Sequence, residues 1–257
     1  MGMFNCVLLR SVLIVMTFVL PTAQCWGKEG HSATCKIAQS LLNKAAADAV
    51  QKLLPDYAAG DLASVCSWAD EIKFKYRWSR PLHYIDTPDL KCNYEYSRDC
   101  HNMQGEYGMC VSGAINNYTA QLATYGTSSD AKYNLTQALL FLSHFMGDIH
   151  QPLHVGFTGD EGGNTIILHW YGRKENLHHV WDNMIIETAL KEFYDNDPAL
   201  MIQGLQTNIT GSWSNDVPAW KKCNTNEFAC PNPYAVESIN LACNWAYKNA
   251  TADTVLN

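Results

Sequence analysis

Residues 143–154, SHFMGDIHQPLH, constrain the fold of this chain more than any other stretch. They continue a helical pattern in which Ala138, Phe141, Leu142 and Phe145 recur on one apolar stripe, in a helix expected to start near residues 128–130. His144 and Asp148 stand four apart in that helix, so their side chains stack on one face. At about 100° per residue that face lies roughly 90° round from the stripe, at the edge of the core. His150 and His154 are also four apart, but Pro152 falls between them. Proline removes a backbone donor and biases Gln151 away from helical geometry, so this second pair is not expected to share a helical face. The chain should turn here, which lets His154 approach the same centre from another direction.

A second helix repeats the theme. His178 and Asp182, in NLHHVWD, are again four apart, in a helix that Asn176 can cap and that runs to about Phe193. His179 has no such partner. Asp70 in SWADEIK, His83 in LHYIDTP and His31 in WGKEGH add a carboxylate and two imidazoles. Taken singly, a histidine is more often a hydrogen-bonded structural residue, and a helical His/Asp pair is often an ordinary surface pair. Two pairs with three satellites make a metal centre an equal contender on the residues alone. Imidazole and carboxylate without thiolate suit zinc best, with manganese or iron as alternatives. The H-E-x-x-H protease motif is absent.

Residues 1–25 are a different kind of sequence. One charge, Arg10, precedes an apolar run over residues 11–20, then Pro21 and a small-residue pattern ending at Cys25. This is the layout of a secretory signal peptide, with cleavage expected after Cys25 to leave Trp26 at the new N-terminus. The run is shorter than the roughly 20 residues that span a bilayer, and no later segment is long enough. Eight cysteines follow (Cys35, Cys66, Cys92, Cys100, Cys110, Cys223, Cys230 and Cys243) without a C-x-x-C pair, which reads as a disulfide set in an exported chain. Sequons at Asn117, Asn134, Asn208 and Asn249 fit a glycosylating route. The net charge is −7, and −8 once Arg10 leaves, so on charge alone nucleic acid is an unfavoured partner unless bound dications reverse the sign locally.

At 257 residues and 47% hydrophobic composition the chain can bury one full core. Most of it reads as helices joined by short loops. The exception is residues 159–171, where Gly162-Gly163-Asn164 precedes a β-prone run and predicts a small hairpin. The expectation is an all-α single domain over residues 26–257 with one minor β element.

WGKEGH, WADEIK, LHYIDTP, LSHFMGDIHQPLHVGFTGDEGGN and NLHHVWD follow one another in the order seen in the zinc-dependent single-strand nucleases of plants and fungi. Over residues 26–250 the chain closely resembles this group, the mung bean nuclease family, whose plant members are called bifunctional or type I nucleases. The bacterial zinc phospholipase C is similar more remotely. The resemblance implies a multi-helix domain of that type with three Zn2+ ions. Asp70, His83, His144 and Asp148 would hold the first, and His154, His178 and Asp182 the second. The third would take the α-nitrogen and carbonyl oxygen of Trp26 with His31 and Asp148. Signal cleavage would then convert the Trp26 nitrogen from an amide into an amine that a metal can deprotonate. Lys73 would sit beside the phosphate, within a catalytic set that includes Asp70 and Asp148. Tyr84 and Asp86 would form a base pocket, the ring stacking and the carboxylate accepting from the base. His101, His150, His169 and His179 fall outside these sets. The resemblance also implies the disulfides Cys35–Cys66, Cys92–Cys243, Cys100–Cys110 and Cys223–Cys230.

The activity so implied is hydrolysis of single-stranded DNA and RNA to 5′-phosphorylated products, with action on 3′-nucleotides, by a monomer that is secreted or carried to the vacuole. Relatives continue past NATADTVLN with a further helical segment, so the domain is expected to be truncated at its C-terminus. A weakly active or non-catalytic metal-binding glycoprotein is therefore the alternative. Phospholipid hydrolysis fits less well, because Tyr84 and Asp86 suit a base better than a lipid headgroup.

Overall fold

The structure is a computed structural model that describes residues 26–223 and 228–256; the expected signal peptide lies outside the described residues. Its helices are α1 (Lys28–Ser40), α2 (Lys44–Leu53), α3 (Trp68–Ile72), α4 (Tyr96–Asp99), α5 (Val111–Leu122), α6 (Leu135–Asp148), α7 (Leu177–His179), α8 (Ile185–Phe193), α9 (Pro198–Thr210), α10 (Val217–Trp220) and α11 (Pro231–Leu241). A small sheet of β1 (Ile167–Trp170), β2 (Arg173–Asn176) and β3 (Val255–Leu256) completes the mainly helical architecture. No helix of the described residues is long and apolar enough to cross a membrane.

Helix α6 forms the spine. Asn134 caps it by accepting from the Gln137 N–H at 3.0 Å, so the helix begins at Leu135 rather than near residues 128–130. Its apolar face is nearly free of β-branched residues and carries Ala138, Phe141 and Phe145, all fully buried. Phe141 stacks on Phe145 at 5.4 Å and on Tyr118 of α5 at 4.9 Å, which fixes the central α5–α6 packing. The helix stops at Asp148. Gln151 is extended ahead of Pro152, and a short 3₁₀ turn, Pro152–Val155, brings the chain back.

The second predicted helix is capped by Asn176, whose side chain accepts from the His179 N–H at 2.7 Å, and it ends at Phe193. Between α7 and α8 lies a π turn, Val180–Met184, that contains Asp182. Such single-turn widenings recur at functional sites.

The hairpin falls later than the sequence suggested. Its two strands meet at Tyr171 and Gly172, which have φ of 47° and 81°, as a tight two-residue connection requires. The Gly162-Gly163 stretch instead shapes a loop against the centre described below. Strand β3 adds in parallel to β1, a pairing the sequence did not suggest. Disulfides join Cys35 to Cys66, Cys92 to Cys243, Cys100 to Cys110 and Cys223 to Cys230. Among the sequon residues, Asn117, Asn134 and Asn249 are exposed and Asn208 is half-buried.

Candidate metal centre

His144 and Asp148 project from α6 into a polar cavity and are both fully buried, not at the core edge as the helical wheel implied. The reason is tertiary: α1 closes over this face. A Cβ on Gly147 would stand 2.7 Å from Nδ1 of His31, so only glycine lets the His31 ring reach the cavity. His31 stacks on His144 at 3.9 Å and places Nε2 3.3 Å from Asp148 Oδ1. From the other side come Asp70 of α3 and His83, whose Nδ1 lies 3.0 Å from Asp148 Oδ2 and 3.1 Å from His144 Nε2. His154 returns on the 3₁₀ turn with Nδ1 3.5 Å from Asp148 Oδ1 and Nε2 3.7 Å from Asp182. His178 Nε2 lies 3.3 Å from Asp182 Oδ2.

Three groups of side chains thereby bring ligand atoms within 4.8 Å of one another: His31, His144 and Asp148; Asp70, His83 and His144; and His154, His178 and Asp182. His144 belongs to two of them. The centre is continuous rather than three separate sites.

The ring orientations fit an ion. His144 Nδ1 faces the carbonyl oxygen of Cys66 at 2.8 Å, His154 Nδ1 that of His83 at 2.9 Å, and His178 Nδ1 that of Gly162 at 2.6 Å. A carbonyl only accepts, so each Nδ1 carries its hydrogen and each Nε2 is left as a potential ligand. Gly162 is suited to this role. Its φ is +63° and a Cβ there would stand 2.6 Å from the Leu153 carbonyl oxygen. Nε2 of His31, Nε2 of His154 and Oδ1 of Asp148 are buried without a hydrogen-bond partner. Each such atom costs about 1–3 kcal/mol if nothing binds it. Divalent cations held by the groups to which these residues belong account for all three.

The electrostatics agree. Burial and the adjacent His144 push His31 down to about 4, so its ring is neutral near pH 7. Burial alone would discharge His144, but Asp148 and Asp70 overcome it and raise its pKa to about 9. Burial would likewise raise Asp70, yet His144 and Lys73 hold it at about 2. Asp182 is the opposite case, raised to about 7 by burial against the pull of His178 and Gln151.

Lys73 places Nζ 3.0 Å from Asp70 Oδ1, both side chains being partly buried. Tyr84 and Asp86 lie on an extended segment whose neighbours Ile85 and Thr87 donate to the carbonyls of His154 and Gly156 at 2.7 and 2.9 Å. Ile85 and Thr87 are buried, so Tyr84 and Asp86 share the opposite, more open face. The segment carrying Trp26 lies over the π turn, with the Gly27 N–H donating to the Asp182 carbonyl at 2.8 Å. Trp26 offers backbone atoms only and is outside the three side-chain groups. His150 is exposed and bonded to the Met146 carbonyl at 2.8 Å. His101 and His179 are engaged with Asn102 and Asn183, and none of these three, nor His169, enters a group.

Sequence reasoning missed Gln151. It is fully buried, donates from Nε2 to Asp182 Oδ1 at 2.6 Å, and accepts from the Leu153 N–H at 2.6 Å. A polar residue between two histidines and next to a proline was the available signal.

Residues 26–257 match the S1/P1 Nuclease family. The chain belongs to that family. It is 62% identical to Endonuclease 4 of Arabidopsis thaliana over 248 residues, covering 95% of this chain and 83% of the relative. Endonuclease 1 of the same plant is 55% identical over 255 residues, covering 96% and 83%. Nuclease P1 of Penicillium citrinum is 35% identical over 207 residues, covering 77% and 72%. As a member of the S1/P1 nucleases the chain is a phosphodiester hydrolase acting on nucleic acid.

Proposed function

We propose that this S1/P1 nuclease is an exported, zinc-dependent endonuclease that cuts single-stranded DNA and RNA to 5′-phosphorylated products and dephosphorylates 3′-nucleotides. The carrying observation is the convergence of three His/Asp groups around Asp148, two of them sharing His144, with buried ligand atoms left unsatisfied by the protein. A donor set of imidazole and carboxylate without thiolate suits zinc. In this reading Asp70, His83, His144 and Asp148 hold one ion, and His154, His178 and Asp182 a second. His31 and Asp148 hold a third together with the Trp26 backbone.

When bound, the ions supply positive charge for phosphate oxygens and acidify water near neutral pH. The chain's own groups do the rest. Asp70 stays ionised, so its carboxylate can accept a hydrogen bond from an attacking water and orient it. Lys73, with only 13% of its side chain exposed and held on Asp70, would present a positive charge for the phosphate beside the centre. Tyr84 offers a ring on which an unpaired base stacks, and Asp86 a carboxylate for the base edge, which favours single strands. Four disulfides and the lack of a membrane-crossing helix among the described residues support export.

The test is to purify the secreted protein, determine its N-terminal residue and zinc content, and assay single-stranded DNA with and without a chelator. Hydrolysis that disappears on chelation and returns with zinc is expected. A correctly processed, zinc-loaded protein that hydrolyses nothing overturns the reading.

A further inference from the structure

Residues 73–80 read KFKYRWSR. Four of the chain's 18 basic residues lie in these eight positions, no carboxylate occurs between Glu71 and Asp86, and the whole chain is at −7. Such a concentration of cations in an acidic protein makes a local field that the net charge hides.

The aromatic residues of the stretch are unusually open. Phe74 is 56% and Trp78 50% exposed, while Lys75, Arg77 and Arg80 are also exposed. These rings are nevertheless fixed. Trp78 leans on core residue Phe141 at 5.6 Å and stacks beside Tyr76 at 5.9 Å. The Arg80 guanidinium lies over Phe74 at 5.4 Å, and its Nε donates to the Lys73 carbonyl at 3.2 Å. A ring already held on one face loses little freedom when a base stacks on the other.

The position is as informative as the composition. The stretch starts at Lys73, paired to Asp70, and is followed, after Pro81 and Leu82, by His83 and Tyr84. It therefore borders the metal centre without forming part of any ligand group.

We infer that residues 74–80 form a track for the nucleotides that flank the scissile phosphate, with Trp78 and Phe74 as base platforms and Lys75 and Arg77 on the sugar–phosphate backbone. Exposed rings alone would also suit a protein partner. Interleaving with cations, and continuity with the Lys73–Asp70 pair at the metal centre, favour a single-stranded polyanion. The inference rests on the nuclease reading for the chemistry at the centre, but its binding component is separable from it.

The experiment compares a thymidine dodecamer, long enough to reach the track, with a thymidine dinucleotide, which is not. The Trp78→Ala substitution should lower the ratio of kcat/KM for the dodecamer to that for the dinucleotide about tenfold, the usual worth of one stacked base. Trp78→Phe should keep the ratio within about twofold of the unsubstituted enzyme. The double variant Lys75→Gln/Arg77→Gln should flatten the dependence of log KM on log salt by about 1.4, since each single-strand phosphate contact contributes about 0.7. If Trp78→Ala disturbs folding, Phe74→Ala and the double cation variant carry the test, because those side chains stand in solvent. An unchanged ratio and an unchanged salt slope overturn the track. Anisotropy of a labelled, hydrolysis-resistant phosphorothioate dodecamer separates the two readings. Tight binding by unsubstituted protein that cleaves neither substrate removes the nuclease reading and leaves the track standing, provided the variants bind more weakly.

Discussion

The ring of His144 donates to the carbonyl oxygen of Cys66 at 2.8 Å, and Cys66 is bridged to Cys35 on the helix that carries His31. One disulfide therefore sits behind two candidate ligands that belong to the same group. Replacing both cysteines by alanine should cost about 2–5 kcal/mol, as for other native bridges, and should also free the Cys66 carbonyl to move. The expected result is a lower melting temperature together with a zinc-to-protein ratio below that of the unsubstituted protein, measured by elemental analysis. A lower melting temperature at full zinc occupancy would show the bridge to be purely structural.

Gln151 is the second support. Its amide fixes Asp182 Oδ1 while its own oxygen is held by the Leu153 N–H. Gln151→Leu removes both bonds and keeps the volume. Groups that orient metal ligands are typically worth about 10- to 100-fold in affinity. Competition with a chelator should show such a loss for part of the bound zinc only, because the Gln151 side-chain amide is bonded to Asp182, while Gln151 meets Asp148 through its backbone N–H, which the substitution keeps. A uniform loss across all bound zinc would refute a role confined to Asp182.

What could be read from the sequence here was what the chain encodes locally. The spacing of His144 and Asp148, the stop at Pro152 and the Asn176 cap all depend on residues within four positions of one another, and the structure keeps each of them. Burial of the same pair was not readable, because it depends on α1 crossing at Gly147, more than a hundred residues away in sequence. The hairpin was displaced for a related reason. Gly162-Gly163 looks like a turn between strands, but its backbone is committed to the His178 ring, and Tyr171-Gly172 makes the connection instead. The pairing of β3 with β1 is a long-range contact between short segments, with no local signature. The open faces of Phe74 and Trp78 look like ordinary core aromatics in sequence.

The protonation states give opposite pH trends for metal-free and zinc-loaded protein. His144 has its pKa raised from 6.5 to about 9, so its contribution to stability is complete below 6.5 and is lost as pH rises through 9. Asp182, raised from 3.8 to about 7, loses its contribution as pH rises through 7. Asp182 acts up to about pH 7 and His144 from 6.5 to 9, both in the same direction, so above pH 6.5 stripped protein should melt at progressively lower temperature. Zinc binding must expel these protons, so the loaded protein should gain stability relative to the stripped form across the same range. Calorimetry at pH 6 in two buffers of different ionisation enthalpy should register release of at least about two protons on zinc binding, one each from His144 and Asp182. No net release would mean that neither group holds a proton in the stripped protein.

Tyr84 and Asp86 share the face opposite Ile85 and Thr87, so the pocket proposed for the base is set by strand alternation and by the two hydrogen bonds to residues 154 and 156. The two side chains should fail differently. Tyr84→Ala removes a stacking surface and should raise KM for every 3′-nucleotide about tenfold, while Tyr84→Phe should leave it within about twofold. Asp86→Asn changes an acceptor that the base's amino group can use, so the loss should fall on adenine, guanine and cytosine and largely spare thymine. A charge-assisted hydrogen bond of this kind is worth about 1.5–3 kcal/mol, hence about tenfold or more in kcat/KM. The deciding measurement is kcat/KM for the four 2′-deoxynucleoside 3′-monophosphates with both variants. An equal loss on all four bases with Asp86→Asn would assign that carboxylate to holding the segment in place rather than to reading the base.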